Sequence, residues 1–139
     1  MIDLVRIGNG VTSIGNYAFS SCYSLSSVTI PNSVTSINNG VFNCCYSLAS
    51  ITIPSSVTSI GTYVFQNCYG IKTFDFRAFT EVPQLGNVNT FLNTPTDKEI
   101  IVPDELYDTW KGASNWSETT NNIVNRIVKA SESSLGPLS

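Results

Sequence analysis

The sequence predicts a solenoid in which short parallel strands from successive repeats stack on one another, followed by a C-terminal helical cap. Three observations predict this fold. The first is a strict period over residues 8–76, which is the interval that separates Val11 from Val34 and Val34 from Val57. The others are apolar and polar residues that alternate at the same place in each repeat, and prolines that end two of the alternating segments. A unit of this size cannot bury its apolar side chains alone, so neighbouring units must stack to form a continuous core.

The period brings residues of the same kind into columns. A period of about 20–29 residues with apolar side chains at this spacing is typical of a leucine-rich-repeat solenoid, which is therefore the predicted fold class. The columns are Val11, Val34 and Val57; Ile14, Ile37 and Ile60; Phe19, Phe42 and Phe65; Cys22, Cys45 and Cys68; Leu25, Leu48 and Ile71; Val28, Ile51 and Phe74; and Ile30, Ile53 and Phe76.

The alternating segment of each repeat is predicted to be a strand. From Leu25 to Ile30, apolar side chains alternate with polar ones, as in a strand with one buried face. Pro31 and Pro54 then end the strand, because proline cannot donate the next hydrogen bond of the ladder. Strands are expected near 4–7, 27–30, 50–53, 72–76 and 99–102, with a second, shorter extended segment at 11–14 and its repeats.

The predicted organisation has three parts. Residues 1–103 form the solenoid: a partial first repeat, three regular repeats, and one enlarged, degenerate repeat in which Phe91 follows Phe65 at an interval longer than the period. Residues 104–130 form the cap, where Asp104 is expected to cap a short helix whose Leu106 and Trp110 cover the core. Residues 131–139 have no periodicity and are expected to be loose.

Charge and hydropathy exclude two classes of partner. Seven basic and ten acidic side chains give a net charge of −3, which argues against nucleic acid, because phosphate binding needs lysine and arginine. No segment approaches the roughly 20 consecutive apolar residues that a membrane span requires, so membrane insertion is not expected.

The N-terminal edge is expected to favour self-association. There is no signal peptide in this sequence, and Ile2, Val5 and Ile7 lie one period before Leu25, Val28 and Ile30. The sequence therefore begins within a repeat, and we expect a longer array. Without a cap above them, residues 4–7 would present an open strand edge, and such edges recruit other chains.

The cysteines are expected to be free thiols. Cys22, Cys45 and Cys68 point into the predicted core, where cysteine behaves as a small apolar residue. The chain has no histidine and no C-x-x-C pair, so neither a metal site nor any cofactor is predicted. Cys44 precedes a core cysteine, should face the opposite way, and is the thiol expected to react if any does.

The sequence does not predict an enzyme. It has no histidine and no nucleophile or phosphate-loop motif. Paired carboxylates could indicate glycoside hydrolysis, but the C-terminal acidic residues are scattered over strand, loop and cap, which favours a solvated surface. They are Asp75, Glu81, Asp97, Glu99, Asp104, Glu105 and Asp108.

The repeats resemble the bacterial BspA-type leucine-rich repeat family. The motifs are I-P-N-S-V-T-S-I-x-x-x-x-F-x-x-C at 30–45 and I-P-S-S-V-T-S-I-G-x-x-x-F-x-x-C at 53–68. The segment I-I-V-P-D-E-L-Y-D-T-W-K at 100–111 resembles a terminal module of gut-bacterial surface proteins and of phage or prophage proteins. The resemblance covers residues 2 to about 128. It implies a non-enzymatic module for adhesion and partner binding, located outside the cell, at the cell surface or on a virion.

The most specific candidate for a binding site is a set of three tyrosines, each of which follows a core cysteine: Tyr23, Tyr46 and Tyr69. Stacking would place them in one column, called here the Tyr column, which either binds a protein or glycan partner or only packs. We expect the column to act with the outward strand residues, because these share one surface. The strand candidates are Arg6, Ser27, Thr29, Ser50, Thr52, Lys72, Thr73 and Asp75. The alternative is a structural spacer, or a phage or envelope component, without a specific ligand.

Threonine forms two further columns. Thr12, Thr35 and Thr58 occupy one, and Thr29 and Thr52 the other. Regular hydroxyl arrays can order water, as an ice-binding surface does. Pairing between threonines on adjacent strands explains both columns equally well and is the interpretation favoured here.

Overall fold

A computed structural model describes residues 2–138, which form ten short strands, one α-helix and several 3-10 turns. The strands are β1 (Leu4–Arg6), β2 (Ser13–Ile14), β3 (Ser27–Thr29), β4 (Ser36–Ile37), β5 (Ser50–Thr52), β6 (Ser59–Ile60), β7 (Thr73–Asp75), β8 (Gln84–Leu85), β9 (Glu99–Val102) and β10 (Ile127–Lys129); the helix is α1 (Tyr107–Gly112). The 3-10 turns are Val88–Phe91, Asp104–Leu106, Thr120–Asn122, Val124–Arg126 and Ala130–Glu132.

Every strand pairs in parallel with its equivalent in an adjacent repeat. The strands β2, β4, β6 and β8 form one sheet, called here the second sheet. The remaining strands form what is called here the first sheet line. In it, β1 pairs with β3, and β5, β7, β9 and β10 form a four-stranded sheet. Val5 lies opposite Val28, and Ile51 opposite Phe74. This arrangement confirms the predicted solenoid of stacked parallel strands and the shorter second strand of each repeat.

The stack has one interruption. Within residues 2–138, no strand pairing joins β3 to β5, so the expected column of Val28, Ile51 and Phe74 is hydrogen-bonded only from Ile51 onward. A cavity of about 400 Å³, lined by residues from both layers, lies beside these strands. The two repeats stay joined through β2 and β4 and through the turn that precedes the Tyr column.

That turn supplies a third ladder of backbone hydrogen bonds. Its first layer consists of Tyr17 N–H to Asn39 O at 2.8 Å, Phe19 N–H to Val41 O at 3.0 Å, and Ser21 N–H to Asn43 O at 2.8 Å. The turn has left-handed backbone at two positions in each regular repeat. Tyr17, Gly40 and Tyr63 occupy the first, with φ of 59°, 65° and 59°. Ser21, Cys44, Asn67 and Asn93 occupy the second, with φ of 60° or 61°.

The core is a stack of like side chains. The rings of Phe19, Phe42 and Phe65 lie nearly parallel, with centroids 5.8 and 6.2 Å apart, and Phe91 continues the stack at 5.7 Å from Phe65. Phe91 is fully buried. This confirms that the enlarged repeat keeps its phenylalanine in the stack despite the longer interval along the chain.

The cysteines are all free, but only two are buried. Cys45 Sγ donates to Phe19 O at 3.2 Å and Cys68 Sγ to Phe42 O at 3.0 Å, both inside the core. Cys22 is half-buried rather than buried, because within residues 2–138 no further repeat stacks over it. Cys44 is half-buried, unlike its neighbour Cys45, as expected of a side chain that turns away from the core; its reactivity stays a prediction.

The C-terminal region closes the core with two tryptophans. Trp110 and Trp116 are fully buried, their ring centroids 5.4 Å apart, and both contact Phe76 edge to face. Asp104 does not cap the helix as predicted. It begins the 3-10 turn that precedes α1, and its carboxylate accepts from Ser131 N–H at 3.0 Å, because residues 130–132 fold back over it.

The segment after the helix also adds to the sheet. The strand β10 pairs with β9, with Ile127 opposite Ile100, so part of residues 104–130 forms a further layer of the stack. Residues 131–138 are not loose as predicted: Ser134 bonds to the Glu99 carboxylate, and Gly136 O accepts from Arg77 at 3.0 Å. Polar contacts hold this segment, and the apolar pattern of a sequence cannot report them.

Lys98 is fully buried in the loop before β9. Its Nζ donates to Asn121 O at 2.9 Å and Pro95 O at 3.2 Å. Burial, and to a smaller extent the charge of Arg126, lowers the pKa of Lys98 to about 8.

No helix within residues 2–138 combines the length and the hydropathy needed to cross a bilayer.

The two buried thiols should make stability fall above pH 9. Burial raises the pKa of Cys45 and of Cys68 from 9.0 to about 12. The folded state therefore keeps both protons at a pH where the unfolded state loses them, so this stability is complete below pH 9 and declines between 9 and 12. The slope is at most about 1.4 kcal/mol per pH unit for each thiol.

Urea unfolding in reducing buffer from pH 8 to 10.5 measures the effect. The double variant Cys45→Ala/Cys68→Ala should be less stable than wild type at pH 8 but should lose stability less steeply as pH rises. Leu48→Ala is the matched control, because it removes core volume without removing a titrating group, and it should keep the wild-type slope. Equal slopes for wild type and double variant would contradict the prediction.

Candidate binding surface

The three tyrosines of the Tyr column stack face to face on the surface. The ring centroids of Tyr23 and Tyr46 are 5.0 Å apart and those of Tyr46 and Tyr69 are 5.3 Å apart, with 11° between planes in both pairs. The side chains are 55%, 44% and 57% exposed. The column therefore contributes to packing between repeats and also presents ring edges and hydroxyl groups to solvent.

The backbone on either side holds the column in place. Each tyrosine follows a core cysteine, whose N–H bonds within its own turn, as Cys45 N–H does to Phe42 O at 3.1 Å. Ser47 Oγ of the next repeat donates to Tyr23 O at 2.6 Å. Hydrogen bonding with the Cys44 side chain raises the pKa of the Tyr46 hydroxyl. The ring positions thus follow from the register of the repeats.

Five of the predicted strand residues are exposed on the strand face, defined here as the outward side chains of β1, β3 and β5. Ser27 and Thr29 flank half-buried Val28, and Ser50 and Thr52 flank buried Ile51. Arg6 lies opposite Thr29 in the register. The structure brings these residues to one surface, and their role in binding stays a prediction.

The predicted binding residues of the third regular repeat do not continue this pattern of side chains that are exposed and, within residues 2–138, unpaired. Lys72 is exposed and pairs with Asp97, with Nζ to Oδ2 at 2.7 Å, which lowers the pKa of Asp97. Thr73 is half-buried.

The prediction that Asp75 faces solvent is wrong: it is only 7% exposed. Its carboxylate accepts from Arg77 Nε at 3.0 Å and from Nη2 at 2.9 Å. Arg77 in turn donates to Gly136 O, so the C-terminal segment covers this part of β7.

Sequence reasoning missed one exposed aromatic residue. Tyr17 is 53% exposed, and its ring lies over Gly40, where an added Cβ would stand 2.2 Å from the ring. Gly40 also has a φ of 65°, which favours glycine. The signal was present as a column in which tyrosine, glycine and tyrosine alternate at positions 17, 40 and 63.

The threonine hydroxyls of the column that begins at Thr12 serve the ladder between repeats. Thr35 Oγ1 donates to Thr12 O at 3.1 Å, and Thr58 Oγ1 donates to Thr35 O at 3.2 Å. These hydroxyl hydrogens are committed to bonds between repeats, which supports the pairing interpretation over an ice-binding surface.

The C-terminal carboxylates have separate partners. Asp75 bonds to Arg77, Asp97 to Lys72, and Glu99 to Ser134. In the part of the chain that the structure describes, no group of three or more cysteine and acidic residues is arranged to hold a metal ion.

Comparison with known families gives one match over most of the chain. The family model described as "BspA type Leucine rich repeat region" matches residues 2–118, in six copies. No curated protein matches the chain.

Among the solved structures that are similar to this chain are two leucine-rich repeat proteins. A leucine rich cell surface protein from Faecalibacterium prausnitzii A2-165 is 41% identical over 59% of this chain, with a TM-score of 0.54. The leucine rich repeat protein of T. pallidum is 25% identical over 73% of this chain, with a TM-score of 0.60. The alignments cover 21% and 45% of those two proteins, so this chain spans less than half the length of either.

Removing Arg77 should destabilise the fold, because Asp75 would keep its buried carboxylate without the guanidinium. We expect Arg77→Ala to lower the free energy of unfolding by about 1.5–3 kcal/mol, the usual contribution of hydrogen bonds to a charged group. Lys72→Ala is the control: it breaks an exposed ion pair and should change stability little. Chemical unfolding monitored by circular dichroism compares the two, and equal losses would contradict burial of Asp75.

Proposed function

Because the chain belongs to the BspA-type leucine-rich repeat family, we propose that it is a non-enzymatic binding or adhesion module that recognises a protein or a glycan through the Tyr column and the strand face. The observation that carries this proposal is the continuous stack of three exposed tyrosine rings beside exposed strand residues. Stacked repeats extend such a surface without changing the core beneath it.

The chemistry of the surface supports recognition. Tyrosine offers a large apolar area and a hydroxyl tip, and its two side-chain torsions cost little entropy when they are immobilised. Here the rings are already ordered by one another, so binding would lose less conformational freedom than it would with isolated side chains. The neighbouring serine and threonine hydroxyls, together with Arg6, would supply hydrogen bonds around the aromatic strip.

We place this function outside the cell. One similar protein, that of Faecalibacterium prausnitzii, is a cell surface protein. A charge content of 12% with many serine, threonine and asparagine residues is compatible with that location. A cell-surface and a virion location both agree with the module proposed here.

A structural spacer is the second candidate function. It is favoured by the same short ring distances, which show that the tyrosines pack on one another. A spacer would need the column for stability and for nothing else. The two functions therefore differ in whether loss of the rings affects partner binding beyond its effect on folding.

Replacing Tyr23, Tyr46 and Tyr69 with alanine should abolish partner binding while unfolding remains cooperative. Aromatic anchors typically contribute about 2 kcal/mol or more each at an interface. A glycan array and immobilised mucin supply the candidate ligands, and surface plasmon resonance measures affinity for those that bind wild type.

Tyr17→Ala is the matched control, because it removes an equally exposed tyrosine from outside the column. It should keep wild-type affinity. If the triple variant binds as wild type does, or if wild type binds none of these ligands, the spacer function is the better account.

The open edge of β1 gives a second kind of contact, and we propose that it pairs with a second copy of this chain. Within residues 2–138, β1 pairs only with β3, and its other edge has no strand against it. Leu4 and Ile2 beside that edge are 54% and 63% exposed. Exposed apolar edges of this kind recruit further strands.

Sedimentation velocity over a range of concentrations should therefore show reversible association of wild type. Leu4→Lys should shift the chain toward monomer, because a charged side chain on an edge strand opposes pairing. The control Leu135→Lys adds the same charge at another exposed leucine and should leave association unchanged. A wild-type chain that stays monomeric at every concentration would overturn the proposal.

A further inference from the structure

A cavity of about 480 Å³ opens over the second sheet, away from the Tyr column. It is bounded by β4, β6 and β8 on one side and by the segment that follows α1 on the other. The inward residues of those three strands, Ile37, Ile60 and Leu85, lie buried beneath it, and half-buried Val82 and Ala113 supply its accessible apolar floor. No residue of the Tyr column or the strand face lines it.

The wall from the C-terminal segment is held in place by two hydrogen bonds. Asn115 Nδ2 donates to Leu85 O at 2.7 Å, and Trp116 Nε1 donates to Pro83 O at 2.9 Å. Both join the segment after α1 to β8 or to the residue before it. The cavity is therefore formed without a ligand, so a ligand would not have to order its wall.

Two glycines line the cavity above the second sheet. Gly61 and Gly86 follow Ile60 and Leu85, and their N–H groups bond to the preceding repeat, at 2.8 Å to Ile37 O and 2.7 Å to Ile60 O. A Cβ at Gly61 would stand 2.4 Å from Asn39 Oδ1, so close approach of the repeats requires glycine there. The absence of side chains at these positions leaves room for the cavity above the strands.

The rim of the cavity carries uncommitted polar groups. Ser59 Oγ, Ser114 Oγ and the Gln84 side-chain amide line it, and none of these groups has a hydrogen bond within residues 2–138. Asn38 also lines it; its Nδ2 donates to Ser13 Oγ and Ile14 O, so its Oδ1 remains free to accept. By contrast, Ser36, in the same column as Ser59, donates to Ser13 Oγ at 3.0 Å.

The lining contains no charged side chain. A charged ligand would lose its hydration here without gaining a counter-charge, which is unfavourable. A suitable ligand must therefore be neutral, offer several groups that both donate and accept hydrogen bonds, and have an apolar face for the floor. Amide and hydroxyl side chains complement hydroxyl groups in this way.

We infer that this cavity binds a neutral saccharide. The hydroxyl groups of one or two sugar rings would bond to Ser59, Gln84, Ser114 and Asn38, while the C–H face of a ring contacts Val82 and Ala113. The cavity volume lies within the range of about 300–1,000 Å³ that is usual for small-ligand sites. The inference is independent of the binding surface proposed above, and either can fail without the other.

A titration followed by NMR tests it. The ¹⁵N-labelled chain is titrated with glucose, N-acetylglucosamine and lactose as neutral probes, and with glucuronic acid as the charged probe. At least one neutral probe should shift the amide signals of Gly61 and Gly86 and the side-chain amide of Gln84, and should saturate. Glucuronic acid should shift them less, and the signals of Tyr23 and Tyr46 should stay in place.

Variants then assign the site. Ser59→Ala and Gln84→Ala should each weaken binding about three- to tenfold, the effect of losing one neutral hydrogen bond, and Ser114→Trp should block it. Ser36→Ala is the matched control from the same column and should bind as wild type does, as should the triple tyrosine variant. The inference is overturned if no neutral probe shifts these signals, if glucuronic acid binds as tightly, or if Ser36→Ala weakens binding as much as Ser59→Ala.

Discussion

Backbone hydrogen bonding between equivalent segments of neighbouring repeats is the constraint on which the rest of this structure depends. It recurs along three lines of the coil: the strands of the first sheet line, the second sheet, and the turn that carries the left-handed residues. Thr58 N–H to Thr35 O at 2.9 Å and Thr35 N–H to Thr12 O at 2.8 Å are two successive steps of one line. Because these bonds set the distance between layers, side chains such as the core phenylalanines and the three tyrosines stack on their own equivalents.

The same constraint explains the unusual surface composition. A polar side chain in one repeat finds a partner in the next, as Ser36 does with Ser13, and as Asn39 Oδ1 does when it accepts from Thr62 N–H at 2.9 Å. Short neutral side chains can form such ladders, whereas like charges stacked at this spacing would repel. The low share of charged residues, 12%, therefore follows from repetition as much as from environment.

Stacking also produces the two surfaces proposed for binding, but in different ways. The Tyr column exists because one residue type recurs at one position, so its extent depends on the number of repeats. The cavity over the second sheet exists because repetition ends: Asn115 and Trp116 come from the non-repeating segment and bond to the last strand of that sheet. A surface built at such a boundary occurs once, and its ligand would be bound once per chain.

The sequence alone determined the class of fold, the strand positions and the Tyr column, because a strict register turns spacing along the chain into neighbourhood in space. The pairs Val5–Val28 and Ile51–Phe74 could be placed in this way, but the missing pairing between β3 and β5 could not. Phe91 could be placed too, although its interval from Phe65 is longer than the period. For the same reason, the outward positions of the first two regular repeats, such as Thr29 and Thr52, could be placed correctly.

Only the tertiary structure decided what happens where the period stops. Asp75 has the outward register of Thr52, yet Arg77 and the carbonyl of Gly136, far along the chain, cover it. Lys98 is buried, and Ser134 is hydrogen-bonded to Glu99. Both contacts involve segments that do not recur from repeat to repeat. The open β1 edge and the cavity over the second sheet are further features of this kind that the period does not predict. Each depends on which segment packs against a terminal layer. Periodicity carries no information about such contacts, because they are made by segments that occur once.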